Sequence, residues 1–117
     1  MEHFAIATRT AASQEAISVV DIAGTLDVNT VSEFEAILED FFRKRRYKII
    51  LNLEKLTYIS SAGVGLLVGN LKLIRKNGGD IKIANVIPDV YKVFELLELT
   101  KLFHILKTEQ DAVQLFG

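Results

Sequence analysis

Residues 56–69 have the sequence LTYISSAGVGLLVG, and this segment decides how the chain folds. It follows a short apolar run, residues 47–53, that is typical of a strand buried on both faces. Apolar residues at helical spacing then continue over residues 61–76, up to a strong helix stop at Asn77-Gly78-Gly79. The segment is therefore predicted to connect a buried strand to a helix, with residues 57–60 as the loop.

Strand and helix patterns alternate along the rest of the chain. Strands are predicted over residues 4–10, 16–22, 80–84 and 103–106, and helices over residues 28–45, 88–97 and 108–116. The helix over 28–45 can be capped by Asn29 or Thr30. Because helices separate most of the strands, we predict an α/β fold with a single mixed, mostly parallel sheet. The first two strands are expected to form an antiparallel pair at its edge.

The composition is that of one globular domain spanning residues 1–117, with 50% apolar residues. Its 14 basic and 15 acidic residues leave a formal net charge of −1, so direct binding of nucleic acid is not expected. No apolar run approaches the roughly 20 residues that span a membrane, and Met1-Glu2-His3 does not resemble the start of a signal peptide. The expected location is the cytoplasm.

The residues that catalysis and cofactor binding usually need are scarce. The chain has no cysteine, and His3 and His104 are its two histidines, which supports neither a metal-ligand cluster nor a Ser-His-acid triad. Gly63-Val64-Gly65 is followed by Val68 where a dinucleotide motif needs its third glycine, and no P-loop occurs. We therefore expect no catalytic residue, no metal and no cofactor.

A basic run, Arg43-Lys44-Arg45-Arg46, ends the helix predicted over residues 28–45. Cations stabilise the carboxyl end of a helix through its dipole, which is the favoured interpretation. A patch that contacts phosphate groups is the alternative.

Two serines, Ser60 and Ser61, stand where the helix over residues 61–76 is predicted to start. Ser60 is expected to cap the helix by accepting a hydrogen bond from a free backbone N–H. Gly63 and Gly65 then follow, although glycine inside a helix costs about 0.5–1 kcal/mol relative to alanine. Either close packing of helix on sheet or the close approach of a partner surface or a phosphate would explain them.

A second distinctive loop, Gly24-Thr25-Leu26-Asp27, follows the strand predicted over residues 16–22. Loops at the carboxyl ends of parallel strands gather at one edge of the sheet, so this loop should lie beside Ser60 and Ser61. Asp27 either caps the next helix or contributes to a recognition surface. Leu26, if exposed, would be an apolar anchor there.

Together these segments resemble the STAS domain, and most of all the free-standing anti-sigma factor antagonists of bacteria. The matching segments are Gly24-Thr25-Leu26-Asp27, Ile50-Leu51-Asn52-Leu53, Leu56-Thr57-Tyr58-Ile59-Ser60-Ser61-Ala62-Gly63 and Asn77-Gly78-Gly79. The resemblance covers nearly the whole chain. It implies one STAS domain over residues 1–117, with a four- or five-stranded sheet and helices packed mainly on one face.

The resemblance also implies partner switching in the regulation of transcription. An unmodified family member binds an anti-sigma factor that is also a serine kinase; phosphorylation by that kinase releases it, and a PP2C-type phosphatase reverses the step. Where family members commonly have Asp-Ser-Ser/Thr-Gly, this chain has Ser60-Ser61-Ala62-Gly63. Ser61 is thus the implied phosphorylation site, with Ser60 as the runner-up.

The partner is expected to contact the residues around the two loops: Gly24, Leu26, Asp27, Ser60, Ala62 and Gly63. We expect a monomer or weak dimer. The alternative function is that of a STAS structural subunit or scaffold that is not phosphorylated, for example in a lipid-transport ATPase or a stress-signalling complex.

Overall fold

A computed structural model describes residues 3–117 of the chain. The strands are β1 (Ala5–Ala11), β2 (Gln14–Leu26), β3 (Lys48–Ile59), β4 (Asp80–Ala84) and β5 (Ile105–Leu106). The helices are α1 (Val31–Arg43), α2 (Ser61–Lys76), α3 (Pro88–Leu96) and α4 (Glu109–Phe116), with a 3₁₀ turn at Leu99–Lys101. None of the helices described in residues 3–117 has the length and apolar character of a membrane span.

The five strands form one sheet in the order β1-β2-β3-β4-β5. The β1–β2 pair is antiparallel and the other three pairs are parallel. This confirms the predicted mixed, mostly parallel sheet and its antiparallel first pair. The parallel strands all end on the same side, which we call the carboxyl end of the sheet.

Helices cover the two faces of the sheet unequally. The main core lies under α1, α2 and α3, and its largest helix residues include Phe34, Leu38, Leu67, Leu71 and Phe94. A smaller core joins the opposite face to α4 and consists of Ala11, Ile17, Val19, Ile50, Ala84, Ala112 and Val113. Three of the four helices therefore lie on one face, as predicted.

Two predicted loops are wrong, because β2 and β3 are longer than their sequence patterns indicate. Gly24, Thr25 and Leu26 belong to β2, and residues 57–59 belong to β3. The two extensions pair with each other, Thr25 with Tyr58 and Leu26 with Ile59, after shifts in register. Pairing between segments more than 30 residues apart thus converts both predicted loops into strand.

The first helix begins at Val31, three residues later than predicted. Residues 28–30 form a turn instead, in which the Asp27 carbonyl accepts hydrogen bonds from the N–H groups of Thr30 and Val31. The Asp27 carboxylate also accepts one from the Asn29 N–H at 2.8 Å. Thr30 occupies the cap position, but its side chain makes no capping hydrogen bond.

The predicted stop after α2 is confirmed. The Gly78 N–H donates to the Arg75 carbonyl at 3.0 Å, and the Gly79 N–H donates to the Ile74 carbonyl at 3.1 Å. Gly78 has a φ of 83°, which glycine adopts without strain. A Cβ on Gly79 would collide with the Tyr47 carbonyl oxygen, so glycine is required there by close contact.

Candidate functional site

The predicted neighbours meet at the carboxyl end of the sheet, where β2 and β3 end and α2 begins. The Ser60 N–H donates to the Leu26 carbonyl at 2.9 Å, which fixes the start of α2 against the end of β2. The expectation that the Gly24-Thr25-Leu26-Asp27 segment lies beside Ser60 is therefore confirmed. This arrangement follows from the parallel pairing of β2 with β3.

Ser60 caps α2, as predicted. Its backbone is extended, with φ −92° and ψ 174°, and its hydroxyl accepts from the Gly63 N–H at 3.5 Å. The Ser60 carbonyl accepts from the Val64 N–H at 3.0 Å and so begins the helical hydrogen bonds. One of the two serines is thus explained by the fold itself.

Ser61 is the first residue of α2, and its side chain is exposed. Within residues 3–117 its hydroxyl makes no hydrogen bond. The first turn of α2 contains no acidic residue, so nothing there neutralises the positive end of the helix dipole. A negative group attached to Ser61 would lie where free N–H groups and the dipole both favour it.

The two glycines near the start of α2, Gly63 and Gly65, have different surroundings. A Cβ on Gly63 would lie 2.9 Å from Ile59 Cγ1 and 3.0 Å from the Leu26 carbonyl oxygen, so Gly63 lets the helix pack closely on the sheet. A Cβ on Gly65 or Gly69 would meet nothing within 4 Å. The packing explanation is therefore confirmed for Gly63. Packing does not explain Gly65, for which the close approach of a partner surface or a phosphate stays a prediction.

Gly24 and Leu26 lie beneath the surface. Gly24 is buried with a φ of 88°, and a Cβ there would lie 2.7 Å from the His3 carbonyl oxygen. Leu26 is only 1% exposed, so the condition for an apolar anchor is not met. It is buried because it pairs beside Ile59 and lies directly under Gly63. Both residues, like the buried Gly63, can shape the surface only from below.

Asp27, Ser60 and Ala62 remain partly exposed. Asp27 is engaged in the turn before α1, since its carboxylate accepts from the Asn29 N–H and its N–H donates to Thr30 Oγ1 at 2.9 Å. These bonds support the capping interpretation of Asp27. Asp27 is still partly exposed, as Ser60 and Ala62 are.

Other exposed residues at this end were missed by sequence reasoning. Val28 is 75% exposed and Tyr58 is 54% exposed, and they belong to the segments that flank the start of α2. On α2 itself, Gly65, Val68 and Gly69 are at helical spacing from Ser61, and Val68 is exposed. No charged residue occurs between Lys55 and Lys72. We call Val28, Tyr58, Ser61, Gly65, Val68 and Gly69 the switch surface.

The charged clusters lie elsewhere. Asp80 accepts from Lys82 Nζ at 3.0 Å, and His104 Nδ1 lies 3.1 Å from that same Nζ. These residues belong to the starts of β4 and β5, at the opposite end of the sheet from Ser61. Among residues 3–117, no three histidine or acidic side chains are grouped to hold a metal ion.

The STAS domain family model matches residues 8–112. The chain therefore belongs to the STAS domain family.

Individual relatives agree with this assignment. An anti-sigma-B factor antagonist of Staphylococcus aureus strain NCTC 8325 is 34% identical over 93 residues, which cover 80% of this chain and 86% of the relative. The anti-sigma factor antagonist SpoIIAA in its unphosphorylated form matches with a TM-score of 0.78 and 26% identity, over 93% of each chain. The Bacillus cell fate determinant SpoIIAA in its phosphorylated form matches with a TM-score of 0.71 and 25% identity, over 95% of this chain and 100% of that one.

Proposed function

We propose that this chain is an anti-sigma factor antagonist, which binds an anti-sigma factor with serine kinase activity and is released when Ser61 is phosphorylated. A PP2C-type phosphatase would restore the binding form. The chain acts by binding and contributes no catalysis of its own. It thereby controls how much sigma factor is free for transcription.

One observation carries the proposal: Ser61 is exposed at the start of α2 and makes no hydrogen bond within residues 3–117, and residues 56–71 around it carry no charge. The neighbouring Ser60 is occupied as the helix cap, which favours Ser61 as the acceptor. SpoIIAA, a relative in fold and sequence, exists in both an unphosphorylated and a phosphorylated form. Modification is therefore compatible with this fold.

The effect of the phosphate follows from its charge. It adds about −1.5 to −2 charges to a surface of small and apolar residues. A partner packed against Gly65 and Val68 would have to bury that charge without a counter-ion, which costs several kcal/mol. Since each ~1.4 kcal/mol changes the affinity tenfold, a loss of about 100-fold or more is expected.

The test combines phosphate mapping with a binding measurement. The protein is incubated with the anti-sigma kinase of the same bacterium and ATP, and the product is mapped by mass spectrometry. Phosphate on Ser61, together with a Kd that rises about 100-fold in the phosphorylated protein and in Ser61→Asp, is expected. Ser61→Ala should block phosphorylation and keep binding.

Ser13→Asp is the matched control, because Ser13 is an exposed serine in the turn between β1 and β2, at the other end of the sheet. It should leave partner binding unchanged. Phosphate found on Ser60 alone would make Ser60, the runner-up, the phosphorylation site. Tight binding that neither kinase treatment nor Ser61→Asp weakens would instead indicate a structural subunit or scaffold.

A further inference from the structure

The end of the sheet remote from Ser61 carries a basic pocket. A cavity of about 300 Å³ opens between the segment after α1, the start of β3 and the turn after α2. Lys44, Arg45, Arg46 and Lys48 line it, and no acidic residue among residues 3–117 does. β3 begins at this pocket and ends beside Ser61, so the two sites lie at opposite ends of one strand.

Most of the positive charge in the basic pocket is not neutralised by the fold. Lys44 pairs with Asp40 at 2.9 Å. Arg46 donates to two neutral oxygens, Ser18 Oγ at 2.7 Å and the Glu15 carbonyl at 2.6 Å. Within the described residues, Arg45 and Lys48 make neither an ion pair nor a side-chain hydrogen bond.

The dipole of α1 favours a cation at Arg45, which lies next to the end of that helix. It does not account for Lys48, which belongs to β3. Arg45, Arg46 and Lys48 thus bring three positive charges to the cavity, and none of them pairs with a carboxylate of residues 3–117.

The backbone at Arg45 gives an independent indication. Its φ is 56°, in the left-handed region, and the Arg46 N–H donates to the Phe41 carbonyl at 2.8 Å. This is the helix-ending geometry in which glycine is favoured, because a Cβ is strained there. The chain thus places an arginine where its own fold favours glycine, and the guanidinium makes no bond within the fold that would offset the strain.

We propose that the basic pocket binds a small phosphorylated anion with at least two negative charges, of the diphosphate class. Guanidinium groups pair with phosphate oxygens through two parallel hydrogen bonds, and the ammonium of Lys48 adds a third cation. A soluble phosphate compound and a phospholipid headgroup share this chemistry. The pocket is separate from the switch surface, so the proposal does not depend on Ser61.

Calorimetric titration with sodium pyrophosphate at low ionic strength tests the proposal. Arg45→Gly should weaken pyrophosphate binding at least tenfold while it raises Tm, because glycine relieves the backbone strain. A variant that simply misfolds would lower both the affinity for pyrophosphate and Tm. Lys48→Gln should weaken binding without raising Tm.

Glu98→Gly is the matched control, since Glu98 also has a left-handed φ of 58° but lies outside the pocket. It should raise Tm and leave pyrophosphate binding unchanged. Co-sedimentation with cardiolipin vesicles, whose headgroup carries two phosphates, compared with phosphatidylcholine vesicles, separates the two sources of phosphate. The proposal is overturned if the protein binds neither pyrophosphate nor cardiolipin, or if Arg45→Gly does not weaken the binding.

Discussion

The two ends of α2 are held in opposite ways. At its carboxyl end, Arg75 Nε lies 3.0 Å from Asp80 Oδ1, and Lys82 Nζ lies 3.0 Å from Asp80 Oδ2. At its amino end, Ser60 supplies a neutral cap and Ser61 bonds nothing within residues 3–117. The carboxyl end is therefore committed to the fold, whereas the amino end leaves polar groups available to another molecule. Substitutions at the two ends should differ accordingly.

The largest loss of stability is expected from Asp80→Asn, at the carboxyl end of α2. This change leaves Lys82, which is 5% exposed, without its carboxylate. Breaking a buried ion pair on one side costs about 3 kcal/mol or more. Urea unfolding at pH 7 measures the loss. Asp40→Asn is the control, because the Asp40 ion pairs with Arg43 and Lys44 are exposed and its loss should change stability little.

The same variant has a pH signature. Burial acts to raise the pKa of Asp80, but hydrogen bonds from Lys82 and Arg75 outweigh it and hold that pKa below its usual value. The stabilisation is therefore complete above the unfolded-state pKa of about 3.9 and is lost as the pH falls below it. Below about pH 4 the free energy of unfolding should fall more steeply with decreasing pH in the wild type than in Asp80→Asn. Equal slopes would contradict the assignment.

The next largest loss of stability is expected at the amino end of α2, on the side that packs against the sheet. Gly63→Ala introduces a Cβ within 3.0 Å of Ile59 Cγ1 and of the Leu26 carbonyl oxygen. Overpacking of this kind costs about 1–3 kcal/mol. Chemical denaturation should show a lower midpoint with an unchanged slope. A neutral result would mean that α2 can move away from the sheet.

Replacing Ser60 by alanine should destabilise the protein by about 1 kcal/mol more than replacing Ser61. Ser60→Ala removes the cap of α2, and losing such a cap typically costs about 1 kcal/mol. Ser61→Ala removes an unbonded exposed hydroxyl and should change stability by less than about 0.5 kcal/mol. Thermal unfolding of both variants gives the comparison. Equal losses would show that the two serines share the capping role.

Gly65→Ala is expected to change stability in the opposite direction. Gly65→Ala adds a methyl group where nothing lies within 4 Å, and alanine favours the helix over glycine by about 0.5–1 kcal/mol. The variant should unfold at a slightly higher temperature. If partner binding needs a bare backbone here, the same variant should bind the anti-sigma factor more weakly. A destabilised Gly65→Ala would show that this side of α2 is packed.

Much of the fold could be predicted from the sequence, because its signals are local. The helices predicted over residues 88–97 and 108–116 begin at Pro88 and Glu109, and the predicted glycine stop ends α2. Each of these boundaries depends on signals within a few residues. The cap at Ser60 is of the same kind. Periodicity indicates the order of strands and helices, and the short connection between the first two strands indicates their antiparallel pairing.

What could not be predicted depends on distant segments. Leu26 is buried because β2 extends to pair with β3 and because Gly63 exposes bare backbone above it, which brings together three separate parts of the chain. The openness of Gly65 depends on how α2 is rotated about its axis. That rotation is set by Leu67, Leu71 and Ile74 in the core. Neither feature has a local signal.

Within residues 3–117 the Ser61 hydroxyl makes no hydrogen bond, so the proposed phosphorylation breaks none, and the dipole of α2 favours the added charge. Under that proposal neither form is unfolded by the modification, and proteases that degrade unfolded protein should spare both. The ratio of the two forms would then record only the balance of opposing enzymes acting on it. A cell could read that ratio repeatedly from one pool of molecules, without new synthesis.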